Sequence, residues 1–278
     1  MSLRVGITGA RGYLGSTLVR HFRNTGCEPA AWHRGAEAGS RYELGGNLKS
    51  LDWRNVGAVV HCAYDFRARG WEDIHRINVE SSLSLLGETV SRGARFVFIS
   101  SMSSYEGCQS LYGKAKLEVE KAVLAAGGTV IRAGLIYGDP PGGLFATLCR
   151  AVRALPLVPM IGRGNFPQCL AHHDDLARLV AGVADGSLVL PACPHSAAHP
   201  QAILFRDLLR KIAVLQGRRT TFLPVPWRAI YAAMVCAERA GLGLSFRSDS
   251  LLGLVHANPA PVFDLPGGFR PFPEGAGT

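Results

Sequence analysis

The 278-residue chain is 47% hydrophobic and 18% charged and carries a formal net charge of +9. That composition excludes a disordered chain, which combines low hydrophobicity with high charge, and a protein of this size hides around three quarters of its unfolded surface without staples. Only Lys49, Lys114, Lys116, Lys121 and Lys211 among the 30 basic residues are lysines, so the charge reads either as affinity for an anionic ligand or nucleic acid, or as plain arginine bias.

In chain order, residues 3–8 are an apolar run ending at a glycine, and residues 13–22 follow with helical spacing. Residues 29–33 form a second short run, 57–63 (GAVVHCA) a buried strand and 74–90 an amphipathic helix. Residues 96–100 (FVFIS) are another buried strand, 111–124 a helix and 129–134 a strand. Continuous apolar strands separated by helices predict an α/β protein with a parallel sheet covered on both faces, the Rossmann-type doubly wound arrangement. Beyond Asp139-Pro140-Pro141-Gly142-Gly143 prolines and glycines multiply, with helices expected near 144–155, 174–185, 205–216 and 227–240. Residues 1–138 are therefore the nucleotide-binding domain, to which some later segments return. Residues 139–278 are mainly a smaller C-terminal α/β substrate lobe, with a tail (266–278) expected to lose order at its end.

Thr8-Gly9-Ala10-Arg11-Gly12-Tyr13-Leu14-Gly15 lies between the first strand and the first helix. Glycines there make a tight turn, let a pyrophosphate approach backbone N–H groups and let the helix pack on the strand, while the helix N-terminus faces the phosphates. The second strand ends Trp32-His33-Arg34 with no acid until Glu37. An acid there would bind a ribose 2′-hydroxyl, whereas arginine suits a 2′-phosphate, so Arg34 favours NADP(H) over NAD(H).

Tyr112 and Lys116 stand four apart at the start of a predicted helix and so share one face. A cation beside the phenol is expected to lower its pKa and make Tyr112 a proton donor or acceptor for a substrate oxygen during hydride transfer. Ser100 and Ser101 end the preceding strand at the sheet edge where ligands bind in such folds.

Together, TGARGYLG, VVHCA, INVESSLSLL, FVFISSMSSYEG, YGKAK, VIRAGLIYG and HHDDLA resemble the extended short-chain dehydrogenase/reductase family, and more narrowly its NAD(P)-dependent epimerase/dehydratase group. The resemblance runs in order over residues 4–180 or so. It implies a catalytic set of Ser101, Tyr112 and Lys116, with Lys116 also on the nicotinamide ribose. It implies cofactor contacts at Gly9, Arg11, Gly12, Tyr13, Leu14, Gly15, Arg34, Cys62, Ala63, Tyr64, Asn78 and Ser100. Family members acting on sugar nucleotides usually carry an arginine before HHDDLA; here Gln168 stands there, with Arg163 nearby, and Met102-Ser103 replaces the extra acid pair of a sugar dehydratase.

The function expected is NAD(P)(H)-dependent hydride transfer to or from a carbonyl or secondary alcohol of a small molecule. A nucleotide-sugar epimerase that recycles its cofactor and a non-catalytic NADP-sensing regulator are the alternatives. The seven scattered cysteines contain no CxxC pair and no Cys/His cluster at metal spacing, so neither a disulfide framework nor a metal site is expected. His172-His173-Asp174-Asp175 reads as a helix start, with the aspartates as N-cap and dipole charge. With no apolar stretch approaching about 20 residues and no signal peptide, a cytoplasmic protein with neither a membrane nor a nucleic-acid partner is expected, as a possible homodimer.

Overall fold

The computed structural model describes residues 4–244 and 246–273; Leu3 and the end of the tail, 274–278, lie outside the described residues. The first half alternates β1 (Arg4–Thr8), α1 (Tyr13–Asn24), β2 (Pro29–Trp32), β3 (Val56–His61), α2 (Gly70–Ile74), a π-helical turn (His75–Glu80), α3 (Ser81–Ser91), β4 (Arg95–Ser101), α4 (Leu111–Ala125) and β5 (Thr129–Ala133). The second half comprises β6 (Leu135–Tyr137), α5 (Gly143–Ala154), β7 (Leu157–Ile161), β8 (Pro167–Gln168), β9 (Leu170–His172), α6 (His173–Asp185) and β10 (Pro194–Ala197). It continues through β11 (Ile203–Leu204), α7 (Phe205–Leu215), β12 (Thr221–Val225), α8 (Trp227–Arg239) and α9 (Ser248–Val255).

The central sheet runs β10-β5-β4-β3-β1-β2, all pairs parallel. The inner strands are buried on both faces because helices cover both, while the edge strand β2 alternates between buried and half-buried residues. Alternation along β3 shows it: Ala58 and Val60 join Leu18, Phe22, Leu176 and Val180 of α1 and α6, whereas Val59 joins Leu85, Val119 and Val123 of α3 and α4. The Rossmann-type expectation is thus met, and β10 with α6 returns to this sheet from the second half.

The second half builds its own core around Phe205, Leu208, Leu209 and Ile212 of α7, against Tyr137, Phe145, Leu251 and Leu254. The helices expected there appear as α5, α6, α7 and α8, each within two residues of the expected bounds. The described part of the tail is tied down: Phe269 enters the first core and Phe272 the lobe core, and Arg270 grips Asp175 at 2.7 and 2.9 Å. Among the described residues no helix is long and apolar enough to cross a membrane.

Candidate active site

The glycine turn has the shape its spacing predicts. A Cβ on Gly15 would stand 2.2 Å from the Gly9 carbonyl oxygen, and Gly9 itself has φ +66° with Ala63 only 3.0 Å from its Cβ position. Side chains at either place would force the β1–α1 turn away from β3. No side chain caps α1 and its first turn holds no acid, so its positive end is free to meet a diphosphate. These are the features a dinucleotide's phosphates require.

At the end of β2, Arg34 is 59% exposed and 3.9 Å from Asp65. Arg11 converges on the same turn, since a Cβ on Gly35 would meet its Nη1 at 2.8 Å. Two guanidinium groups therefore stand together at the end of β2; Arg11 was expected on the cofactor, but its meeting with the Arg34 turn was not legible from spacing alone.

The floor of the site is a hydrogen-bond relay with one consistent direction. Thr8 Oγ1 accepts from the Cys62 and Ala63 N–H groups at 3.2 Å and donates to His61 Nδ1 at 2.7 Å. His61 Nε2 then donates to Ser82 Oγ at 2.8 Å, and Ser82 donates to the Asn78 carbonyl at 2.5 Å. Burial and the nearby Lys116 charge depress the His61 pKa to about 3, which matches this neutral tautomer. Asn78, in the π-helical turn, accepts from Asp65 N–H at 2.7 Å and donates to the Asp65 carbonyl at 3.3 Å. It thus fixes the loop that carries Cys62, Ala63 and Tyr64.

Ser100 and Ser101 point to opposite faces of β4. Ser100 is buried and donates to Glu120, which also holds Arg132 at 2.6 Å; this hydroxyl is spent on α4, contrary to its expected place on the cofactor. Ser101 and Tyr112 instead line a cavity of about 1410 Å³. Tyr112 packs edge-on to Tyr64 at 4.8 Å and stacks on Phe66 at 5.7 Å. The Lys116 ammonium lies beneath, donating to the Ile99 carbonyl at 2.8 Å, 4.4 Å from the Phe98 ring centroid and 5.9 Å from that of Tyr112.

The electrostatics correct one expectation. Tyr112 is pushed up to about 12 by burial, only partly opposed by a hydrogen bond from Ser101, and Lys116 is itself pulled down to about 8 by burial. Burial, with a smaller push from the Glu120 charge, sets the direction: the phenol stays protonated at neutral pH, and the ammonium is held by a carbonyl and aromatic faces.

Sequence reading missed Asp249. From α9 its carboxylate accepts from Leu111 N–H at 2.6 Å and Tyr112 N–H at 3.0 Å, while Ser110 accepts from Gly113 N–H at 3.1 Å. The helix carrying Tyr112 is therefore capped partly by the lobe. At α6 the N-cap is His172, which accepts from Asp174 N–H at 3.2 Å; Asp174 and Asp175 occupy the first turn instead of the cap. The neighbouring His173 meets the Tyr13 hydroxyl at 3.0 Å, tying the phosphate turn to α6. Gln168 is buried, its amide donating to the Pro167 and Leu254 carbonyls at 2.7 and 3.2 Å. Folding also gathers Cys193, His195 and Asp264, a group that spacing did not anticipate. Both ring nitrogens of His195 are engaged there, by Asp264 at 3.1 Å and by the Pro191 carbonyl at 2.9 Å.

Comparison with known proteins adds three findings. The family model described as "NAD dependent epimerase/dehydratase family" matches residues 5–186. A ceramide reductase of Caulobacter vibrioides is 28% identical over 247 residues, spanning 82% of this chain and 75% of that protein. Among solved structures, the fold is similar to dTDP-4-dehydrorhamnose reductase of Bacillus anthracis in complex with NADP (TM-score 0.69, 16% identity, 91% and 98% of the two chains). It is also similar to UDP-glucose 4-epimerase of Thermus thermophilus in complex with NAD (TM-score 0.65, 19% identity, 90% and 98%).

Proposed function

Because the chain belongs to the NAD-dependent epimerase/dehydratase family, we propose that it is an NADP(H)-dependent reductase that converts a carbonyl on an apolar body to a secondary alcohol. The observation that carries the reading is the Ser101–Tyr112 pair opening on the large cavity, with Lys116 buried directly behind it.

A bound nicotinamide supplies the hydride. Gly9, Gly12 and Gly15 with the α1 N-terminus hold its diphosphate, and Arg34 with Arg11 takes the 2′-phosphate, which favours NADP(H) over NAD(H). Ser101 donates a hydrogen bond to the substrate oxygen and orients it. Tyr112, kept protonated by burial, delivers its proton to that oxygen. The ammonium of Lys116 then steadies the phenolate that proton transfer leaves behind.

Three observations favour net reduction of an apolar substrate. Gln168 is neutral and its amide is already committed, so the position expected to grip a sugar-nucleotide diphosphate offers no cation. The cavity wall includes Phe66, Met102, Leu135, Leu144, Leu252 and Val255. A relative that spans most of the chain is a ceramide reductase, which puts long-chain lipid carbonyls first among candidates.

The test is a substrate panel of long-chain ketones, oxidised lipids and sugar nucleotides, following NADPH absorbance together with product analysis. A reductase consumes one NADPH for each alcohol formed. Turnover of a sugar nucleotide with no net change in NADPH would replace this reading with the epimerase one.

A further inference from the structure

We propose that α8 and the parallel β7–β12 edge before it form a docking surface for an anionic phospholipid bilayer, from which an apolar substrate reaches the cavity. Helix α8 is rich in apolar residues, WRAIYAAMVCAER, yet none of its residues is fully buried. One face is explained: Trp227, Ile230, Tyr231 and Met234 pack on the lobe core, and Tyr231 and Val235 line the cavity. The opposite face is not. Ala229, Ala232, Ala233 and Cys236 are exposed between an exposed arginine at each end, Arg228 and Arg239. Their spacing of three and four places them on one side of the helix.

The adjoining segments continue the pattern. Leu242, folded back over the end of α8 by its N–H bond to the Ala237 carbonyl at 3.0 Å, is 58% exposed. In the parallel pair β7–β12, Thr221 lies beside Leu157 and Leu223 beside Pro159, so Leu157 and Leu223 stand on one face, each 49% exposed. Exposed apolar side chains grouped in this way mark an interaction surface.

Charge identifies the occupant. Between residues 208 and 248 the single acid is Glu238, and it is turned inward onto the Ser248 N–H and hydroxyl at 2.9 and 2.8 Å. Arg218, Arg219, Arg228 and Arg239 are all exposed in the same stretch. An apolar helix face edged by arginines with no outward acid suits the plane between lipid headgroups and acyl chains, with anionic headgroups meeting the arginines. The expectation of no membrane partner rested on the lack of a spanning stretch; interfacial docking needs none. It also accounts for part of the +9 charge that cofactor binding leaves unexplained.

The test uses the full chain with vesicles of phosphatidylcholine alone and of phosphatidylcholine with phosphatidylglycerol, read by co-flotation. The expected result is binding to the anionic vesicles that weakens with added salt, and little binding to the neutral ones. A Leu223→Asp, Leu242→Asp pair and an Arg218→Glu, Arg219→Glu, Arg228→Glu triple should each lower binding at least tenfold, with thermal midpoint and NADPH affinity unchanged to show intact folding. No binding to either vesicle, or binding that ignores both sets of substitutions, overturns the proposal. So does a concentration-dependent dimer that the same substitutions dissociate, which would make a second copy of the chain the occupant. Vesicle binding is read without turnover, so its failure leaves the reductase reading standing, and the converse holds.

Discussion

Asp249 holds the backbone of Tyr112. Its two carboxylate oxygens accept from the Leu111 and Tyr112 N–H groups at 2.6 and 3.0 Å, although the residues lie 137 positions apart. A lobe residue thereby sets the first turn of the helix whose phenol faces the cavity. A shift of α9 would be passed to Tyr112, the proposed proton donor, through these two bonds.

Replacing Asp249 by Ala should cost about 1 kcal/mol of stability, as loss of an N-cap does, and should lower kcat more than tenfold while cofactor affinity holds. Asp249→Asn keeps one acceptor oxygen and should fall between. Thermal melts and steady-state kinetics on the same preparations check both effects. An unchanged kcat in Asp249→Ala would show that the cap does not position Tyr112.

The arginine pair at the end of β2 makes a selective prediction. Arg34→Ala should weaken NADPH binding by about tenfold or more, the scale of one lost charge-assisted hydrogen bond, and leave NADH binding within about twofold. Arg11→Ala should act in the same direction. Fluorescence titration with each cofactor measures the ratio, and equal losses for NADPH and NADH would refute a role at the 2′-phosphate.

Buried Lys116 and His61 predict how stability depends on pH. The folded pKa of Lys116 is lowered to about 8 from its ordinary 10.5, so between those values the unfolded chain binds more protons and stability rises with pH. His61, lowered to about 3 from 6.5, has the same sign: its contribution is present above pH 6.5 and is lost as the medium is acidified toward 3. Denaturant titrations across pH should show both limbs, and Lys116→Met should flatten the alkaline one. In the same range, reduction should slow above pH 8 as the ammonium behind Tyr112 discharges, with no loss from the phenol until about 12. A wild-type alkaline limb retained in Lys116→Met would contradict the assignment.

Five strands of the sheet were readable because they hold short apolar runs, whereas β10, Pro194-His195-Ser196-Ala197, was not; the turn was readable because Gly9 and Gly15 leave no room for a side chain where backbone crosses backbone. Helical periodicity likewise brought Tyr112 and Lys116 onto one face. What escaped is set by distance along the chain or by burial. The Asp249 cap joins α9 to α4, and Arg11, itself expected on the cofactor, meets the Arg34 turn only once β1 and β2 are paired. Alternation along β4 turns Ser100 away from the cavity, and which of two adjacent serines faces it depends on a register that composition does not contain. The direction of the Tyr112 shift depends on Tyr64 and Phe66 closing over the ring, so a spacing rule that counts only the nearby cation points the wrong way.

The central claim is that Tyr112 delivers the proton, and Tyr112→Phe tests it most directly. With a substrate that the wild-type chain reduces, single-turnover oxidation of bound NADPH should fall by at least a thousandfold, on the order expected for losing a general acid, while NADPH affinity stays within about threefold. Turnover in Tyr112→Phe within about tenfold of wild type would contradict the account.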